Sequence, residues 1–215
     1  MVTQHEVNVR LSALQGVTWI MAHLLSGAGL RLLECLRLRV KDIDFEVNQI
    51  VVREGKGNTD RVTRLPVTVR GPLATQVERV RTLYPQDLER GLVNVYLPDA
   101  RQRKDPQAAR EWGWPWVFPA SALSIHPRCG EPRRHHLNAS VRQRAITGAA
   151  RTVGLPRPVS CHSLRHACAT HLPEDGDDMR TIQERLGHRD VSMTMLDTHV
   201  LNRGGRGVHC PADRL

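Results

Sequence analysis

The chain has 215 residues, a net charge of +9 and a pI of about 10.2. This positive surplus favours a polyanion such as nucleic acid as a partner, although charge alone fits a basic protein without such a partner equally well. No apolar run reaches the about 18 residues that a membrane-spanning helix needs, and the five cysteines lack Cys-x-x-Cys spacing. The sequence therefore excludes a membrane-spanning protein and indicates reduced thiols.

Helices separated by a tight turn are predicted for the N-terminal part of the chain. Thr3 and Glu6 fit a capping box at the start of a first helix, and an apolar face predicts a second helix over residues 17–25. Two glycines then make a turn, and a third helix is predicted over residues 30–36. Arg31 stands at its beginning, where outward-pointing backbone amides favour an anion. In an unrelated protein such an arginine is more often solvated or ion-paired.

A β-hairpin is predicted next. Residues 49–53 and 61–65 have the pattern of two strands, and the loop between them is rich in turn-forming residues. Lys56 lies in that loop between two glycines, where a lysine in an unrelated protein would only be a solvated turn residue. A helix is predicted to follow over residues 66–84, and residues 85–90 are predicted to form a polar loop.

A segment further along holds three of the four tryptophans. The sequence favours a buried strand for Trp116, Val117 and Phe118. Trp112 and Trp114 are more open, and aromatic side chains among basic residues can stack on unpaired bases. These two tryptophans are therefore candidate DNA contacts.

A basic patch precedes a helix predicted over residues 138–153, which carries Arg142 on a basic side. The patch consists of Arg133, Arg134, His135 and His136. A solvated surface would have the same pattern. In a DNA-binding fold we expect these side chains to contact phosphates, which supply affinity without sequence information.

The most informative stretch covers residues 161–200. His162 and Arg165 lie three residues apart and share one face of a predicted helix, which Pro173 ends. A second helix is predicted over residues 179–186, and His188 follows the glycine at its end. Cations on one helical face together with a histidine at a helix end can hold an anion. A phosphodiester undergoing substitution is such an anion, and fixed donors stabilise its transition state.

The segments HSLRHACATHL, ERLGHRDVSMTM and THVL resemble the second catalytic box of the tyrosine recombinase (phage integrase) family. The segment GAGLRLLECLRLRVKDIDFE resembles the first box, with Arg31 in the place of the family arginine and Glu34 in that of a supporting acid. The resemblance implies a mixed α+β, mainly α-helical catalytic-domain fold with a small β-sheet and hairpin. It further implies that the phosphate is bound by Arg31, His162 and Arg165, with His188 as a further donor. Lys56 would be the general acid, and the reaction would need no metal and no cofactor.

The nucleophile is where the sequence departs from that pattern. In the family a tyrosine stands directly before Thr-His-Val, and here that position is Asp197. Its carboxylate ends about 3 Å short of a tyrosine hydroxyl, and losing an activated nucleophile typically costs about a millionfold in rate. The sequence therefore predicts a cleavage-defective chain, whose gene we interpret as decayed or error-bearing.

An additional segment resembles one found in integron integrases, carried by LPDARQRKDP, WPWVFPAS and PRCGEPRRHHLNASVRQRAI. We expect a single catalytic domain over residues 1–215, with this insertion at about residues 92–119 and without the N-terminal core-binding domain of the family. The resemblance implies DNA recombination sites as partners, including folded single strands. It leaves open a homo-oligomer or a full-length integrase on the same DNA, and it implies the bacterial cytoplasm as location.

Two other interpretations stay open at this point. One is a non-catalytic module that binds DNA or an integrase surface. The other is a metal enzyme that uses His162 and His166, although the sequence shows neither the glutamate of the metalloprotease pattern nor a third ligand.

Overall fold

The computed structural model describes residues 11–53, 60–92, 110–125, 130–152, 160–171 and 186. Within these residues no helix is both long and apolar enough to cross a membrane. The five described helices are α1 Gly16–Gly27, α2 Leu32–Leu36, α3 Val67–Glu89, α4 Ala139–Thr152 and α5 Cys161–His171. One small antiparallel sheet consists of β1 Ile43–Asp44, β2 Gln49–Val52 and β3 Arg61–Arg64, and a second consists of β4 Ser124–Ile125 and β5 Pro132–Arg133. The described residues therefore form a mixed and mainly helical α+β fold, as the sequence predicts.

Helix α1 lies at the centre of the core because it packs against α3, α4 and α5. Its predicted apolar face is confirmed, since Met21, Leu24 and Leu25 are completely buried. Burying side chains of this size contributes roughly 1.5–3 kcal/mol each. Further fully buried side chains come from other helices, from β2 and from the connecting segments, namely Leu30, Leu36, Leu38, Ile50, Leu65, Leu73, Phe118 and Leu164.

The predicted hairpin is confirmed to within one residue at each strand end. Strands β2 and β3 pair antiparallel, with Gln49 opposite Arg64 and Val52 opposite Arg61. Thr63 is buried on β3 and its hydroxyl donates to the Ala28 carbonyl at 3.0 Å. This bond fixes the sheet to the turn between α1 and α2. The hairpin loop with Lys56 lies outside the described residues.

Helix α3 continues further than predicted. The polar loop expected at residues 85–90 is wrong, because the helix runs through Pro85 to Glu89. A proline inside a helix removes one backbone hydrogen bond and is costly. The last turn is held by another contact, since the Asp87 side chain accepts two hydrogen bonds from Arg134, at 2.5 and 2.9 Å. A tertiary ion pair thus overrides the local signal for a helix end.

Of the three residues predicted to form a buried strand, Val117 and Phe118 are buried and Trp116 is half-buried, and no strand forms. Val117 and Phe118 are fully buried, whereas Trp116 makes only an isolated bridge with Arg39. The backbone hydrogen bonds of this segment go to different partners: the Val117 amide donates to Leu38 at 3.0 Å, and the Phe118 carbonyl accepts from residue 137. Because consecutive residues bond to different segments, no ladder forms.

The helices predicted near residues 138 and 161 are confirmed as α4 and α5. Asn138 caps α4, since its side-chain oxygen accepts from the Ser140 amide at 2.9 Å. Of the helix predicted over residues 179–186, only Leu186 is described, and it is helical. The first predicted helix is described only at its end, and Pro173 lies outside the described residues.

Candidate active-site cleft

An open cleft of about 560 Å³ brings together three of the residues predicted to bind phosphate. Arg31 comes from the start of α2, and His162 and Arg165 come from the first turns of α5. Arg31 is more than a hundred positions away from the other two in the sequence, but all three face one space. The cleft is also lined by Glu34, Arg37, Arg53 and Gln143.

The turn before α2 positions Arg31 and also approaches Arg165. Gly29 has a φ of +65°, and a Cβ atom there would lie 2.8 Å from the Leu186 side chain. A larger residue would therefore be strained and would collide. The Gly29 carbonyl accepts a hydrogen bond from Arg165. The turn thus brings the first family box directly against the second.

The Glu34 side chain occupies the start of α2, where the sequence predicts that backbone amides favour an anion. Its carboxylate accepts from the Arg31 amide at 2.8 Å and from the Arg31 guanidinium at 2.6 Å. The expectation that this amide is offered to an external anion is therefore wrong, because a side chain of the same helix already caps it. The charge of Arg31 still faces the cleft.

Glu34 also contacts two further arginines. Arg61 on β3 donates to both carboxylate oxygens, at 3.1 and 2.6 Å, and an Arg165 nitrogen lies 3.7 Å away. Burial alone would raise the pKa of the Glu34 carboxyl, but the hydrogen bonds from Arg61 and the Arg31 amide lower it to about 2. Three guanidinium groups around one carboxylate leave a surplus of positive charge at the cleft.

Arg165 is a buried cation held by backbone oxygens. Its side chain donates to the Gly29 carbonyl and to the Leu186 carbonyl, and the residue is only 5% exposed. Burial and the nearby charge of Arg31 lower the pKa of Arg165 to about 10. The guanidinium therefore remains charged at neutral pH, in a place where little water screens it.

His162 is presented at the beginning of α5. The Ser160 hydroxyl accepts from the Ser163 amide at 3.1 Å, and the Ser163 hydroxyl accepts from the Ser160 amide at 3.2 Å. This reciprocal cap fixes the entry of the helix. The His162 side chain is exposed and lines the cleft, where an approaching anion can reach it.

The remaining residues implied by the family boxes cannot be placed. Lys56, His188 and Asp197 lie outside the described residues, and their roles stay predictions.

Sequence reasoning missed the role of Arg61. A signal was present, because Arg61 and Thr63 occupy the same face of β3 and Thr63 is buried. An arginine on the inward face of a strand needs a carboxylate partner, and Glu34 is that partner.

Part of the predicted basic patch is engaged within the chain. Arg134 binds Asp87 and donates to two backbone carbonyls, and Arg133 lies 3.2 Å from Glu131. The rings of His135 and His136 are 4.1 Å apart. Both rings also contact Trp116, with centroid separations of 5.7 and 5.2 Å. Burial and the charges of nearby cations lower the pKa of His136, which reduces its positive charge near neutral pH.

The other predicted DNA contacts are also packed against protein groups. Trp112 meets the Tyr84 ring edge-on at 5.3 Å, and the Lys41 ammonium lies 2.8 Å from the centre of the Trp114 ring. The Arg142 side chain donates to the hydroxyl of residue 18 at 3.2 Å. The structure does not bring these residues into the cleft, and their contact with DNA stays a prediction.

A metal centre finds no support in the part of the chain that the structure describes. There, no three His, Cys, Asp or Glu side chains lie close enough to hold a metal ion. The pair of His162 and His166 has no third ligand among these residues.

A family comparison covers nearly the whole chain. The model of the "Phage integrase family" matches residues 2–203 of the chain. The chain belongs to the phage integrase family. The matched range includes both Gly29 and Arg165.

Individual members of the phage integrase family resemble the chain over most of its length. An "Integrase/recombinase" of Escherichia coli is 46% identical over 213 residues, which cover 99% of the chain and 63% of that protein. The chain thus spans less than two thirds of this relative.

Two solved structures share the fold. The crystal structure of XerA recombinase has a TM-score of 0.65 and 24% identity, covering 92% of this chain and 59% of that one. The Tn1549 transposon integrase in complex with circular intermediate DNA has a TM-score of 0.60 and 19% identity, covering 98% of this chain and 63% of the other. The predicted recombinase catalytic-domain fold is confirmed.

Proposed function

We propose that the chain binds DNA recombination sites and holds one phosphodiester in the cleft, as the phosphate-binding half of a strand-transfer site. The observation that carries this proposal is the convergence of Arg31, His162 and Arg165 in one cleft with surplus positive charge. The family membership and the DNA in the Tn1549 integrase structure support a DNA partner.

The chemistry that fits this arrangement is phosphoryl transfer without a metal or cofactor. In-line attack on phosphorus builds negative charge on the non-bridging oxygens, and preorganised cationic donors stabilise that charge. Arg31 and Arg165 would bind these oxygens, and His162 would donate a further hydrogen bond. Lys56 would protonate the leaving oxygen and His188 would add a donor, as the family resemblance implies.

We further propose that the native chain does not cleave DNA. Asp197 stands where the family uses a tyrosine, and its shorter side chain cannot place an oxygen at the same point. A displacement of about 1 Å can already cost about a hundredfold in rate. A carboxylate would also approach the phosphate against its charge. The arginines of the cleft do not replace a nucleophile.

The finer assignment is an integrase of the integron type. It rests on the resemblance of the inserted segment at about residues 92–119 and of the basic patch. Folded single strands would then be among the substrates, in the bacterial cytoplasm, with a homo-oligomer or a full-length integrase as partner. DNA contact by the patch, Arg142 and the two tryptophans belongs to this proposal.

A second candidate function follows from the loss of the tyrosine. A chain that binds DNA without cleaving it would act as a binding module that occupies recombination sites or integrase surfaces. Its activity would depend on the cations of the cleft but not on Lys56 or His188.

Covalent trapping tests the strand-transfer assignment. A labelled recombination-site strand is incubated with the native chain and with the Asp197→Tyr and Asp197→Phe variants. We expect an adduct at a low level with Asp197→Tyr alone, because only that variant supplies a hydroxyl. An adduct with the native chain would refute the assignment of Asp197. Binding by all three proteins without any adduct would favour the binding module.

A further inference from the structure

Two arginines at the edge of the cleft have no task in the strand-transfer proposal. Arg37 is the residue that ends α2, and Arg53 directly follows β2. Both line the same cleft as Arg31 and Arg165. Four arginines therefore line this space, and the single phosphodiester of that proposal is bound without Arg37 and Arg53.

Arg53 is anchored by a buried carboxylate. Its Nε donates to the Asp42 carboxylate at 2.6 Å, and Asp42 is only 3% exposed. The other oxygen of Asp42 accepts from the Arg39 amide at 2.9 Å, so the carboxylate is itself fixed. The Arg53 side chain nevertheless remains 46% exposed, and its outer nitrogen is 3.6 Å from Asp60. A guanidinium fixed through Nε can still present outer N–H groups to the oxygens of a phosphodiester, which arginine binds through charge-assisted hydrogen bonds.

Arg37 is exposed, and no carboxylate lies within 4 Å of its guanidinium among the residues that the structure describes. Arg31 is the residue before α2 and Arg37 the residue after it, so the two arginines stand at opposite ends of this short helix. Arg31 and Arg37 can therefore contact different phosphates of one strand.

We propose that Arg37 and Arg53 form a subsite for a DNA backbone phosphate next to the one bound by Arg31 and Arg165. This inference rests on the proposed function, because it assumes DNA in the cleft. The subsite binds the phosphodiester backbone independently of base sequence. Asp42 acts as a positioning residue, since it aims Arg53 without touching the DNA.

The salt dependence of DNA affinity tests the subsite, because it measures how many phosphates a protein neutralises. The full chain is titrated into a labelled duplex at several salt concentrations. Each phosphate contact contributes about 0.9 to the slope of log affinity against log salt. We expect Arg37→Gln and Arg53→Gln each to reduce the slope, and the double variant to reduce it by about 0.9 in total because one phosphate loses its contacts, whereas Arg53→Lys keeps the slope and weakens binding several-fold.

Arg81→Gln is the matched control. Arg81 is an exposed arginine of α3 that pairs with Glu78 at 3.6 Å, as Arg53 pairs with Asp60. We expect its slope to equal that of the native chain. The thermal unfolding midpoint of every variant is measured alongside, which distinguishes a folding defect of Arg53→Gln from a loss of DNA contact. Arg37→Gln removes no ion pair between described residues.

The outcomes separate the subsite from the proposed function. Native slopes for both Arg37→Gln and Arg53→Gln, with a reduced slope for Arg31→Gln, would overturn the subsite and leave the proposed function intact. Failure of the native chain to bind the duplex would overturn both. Arg37→Gln could instead keep the native salt slope for DNA but bind an oligoglutamate peptide more weakly than the native chain does. That result would assign the two arginines to an acidic protein partner and overturn the subsite.

Discussion

The cleft and the patch at residues 133–136 are both rich in basic residues in the sequence, but the fold uses their charge differently. In the patch, Arg134 meets the carboxylate of Asp87 and Arg133 lies beside Glu131. At the cleft, Glu34 is shared by Arg31 and Arg165, which line it, and by Arg61 on β3. The patch is therefore close to neutralised by its neighbours, whereas the cleft keeps surplus charge. A cluster of basic residues thus indicates an anion-binding site only where the carboxylates that contact it are fewer than its cations.

The largest expected effect comes from removing the buried cation of the cleft. Arg165→Met leaves two backbone carbonyls and the Glu34 cluster without their donor, so we expect the free energy of unfolding to fall by about 3–5 kcal/mol. Urea denaturation measures this loss. Arg144→Met, at an exposed position of α4, is the control and should change stability by less than about 0.5 kcal/mol. A loss below about 1 kcal/mol for Arg165→Met would show that its buried contacts do not stabilise the fold.

Lowering the pH should reduce the free energy of unfolding, because Glu34 at the cleft becomes protonated. The pKa of this carboxyl in the folded chain is about 2, below its ordinary value of 4.5. Its stabilisation is therefore complete above about pH 4.5 and is lost as the pH falls towards 2, on the order of 3 kcal/mol. Urea denaturation between pH 5 and pH 2 should show a steeper loss for the native chain than for Glu34→Gln. Parallel curves for the two proteins would contradict this role.

Breaking the ion pair between Asp87 and Arg134 of the patch should lower stability. Asp87→Asn leaves the Arg134 guanidinium with its two carbonyl partners but no counter-charge. We expect a loss of about 2 kcal/mol in the free energy of unfolding. The salt dependence of DNA affinity should stay native because Asp87→Asn removes no cation, and a steeper slope would mean that the released Arg134 gains a phosphate contact.

The smallest expected effect is the response of the patch to mild acid. Burial, together with the charges of His135, Arg37 and Arg39, lowers the pKa of His136 below 6.5. The unfolded chain therefore takes up a proton first, and stability should decline as the pH falls below about 6.5. In thermal unfolding between pH 7.5 and pH 5.5, His136→Gln should flatten this decline. An equally steep decline in the variant would assign it to other groups.

The sequence predicted most of the fold because its signals were local. Apolar periodicity located α1, and alternation with turn formers located the hairpin. The end of α3 was missed because an ion pair from residue 134 carries the helix past Pro85. The cleft could be anticipated only through the family boxes, since Arg31 and Arg165 are far apart in the chain. The roles of Arg61 and Arg53 depend on which buried carboxylate each one meets, and no pattern in the sequence specifies those pairs.

The central claim is that one phosphodiester of bound DNA sits among Arg31, His162 and Arg165. A structure of the full chain with a recombination-site duplex tests this most directly. We predict a backbone phosphate within hydrogen-bond distance of all three side chains. Clear density for DNA along residues 133–136, with no phosphate in the cleft, would contradict the account.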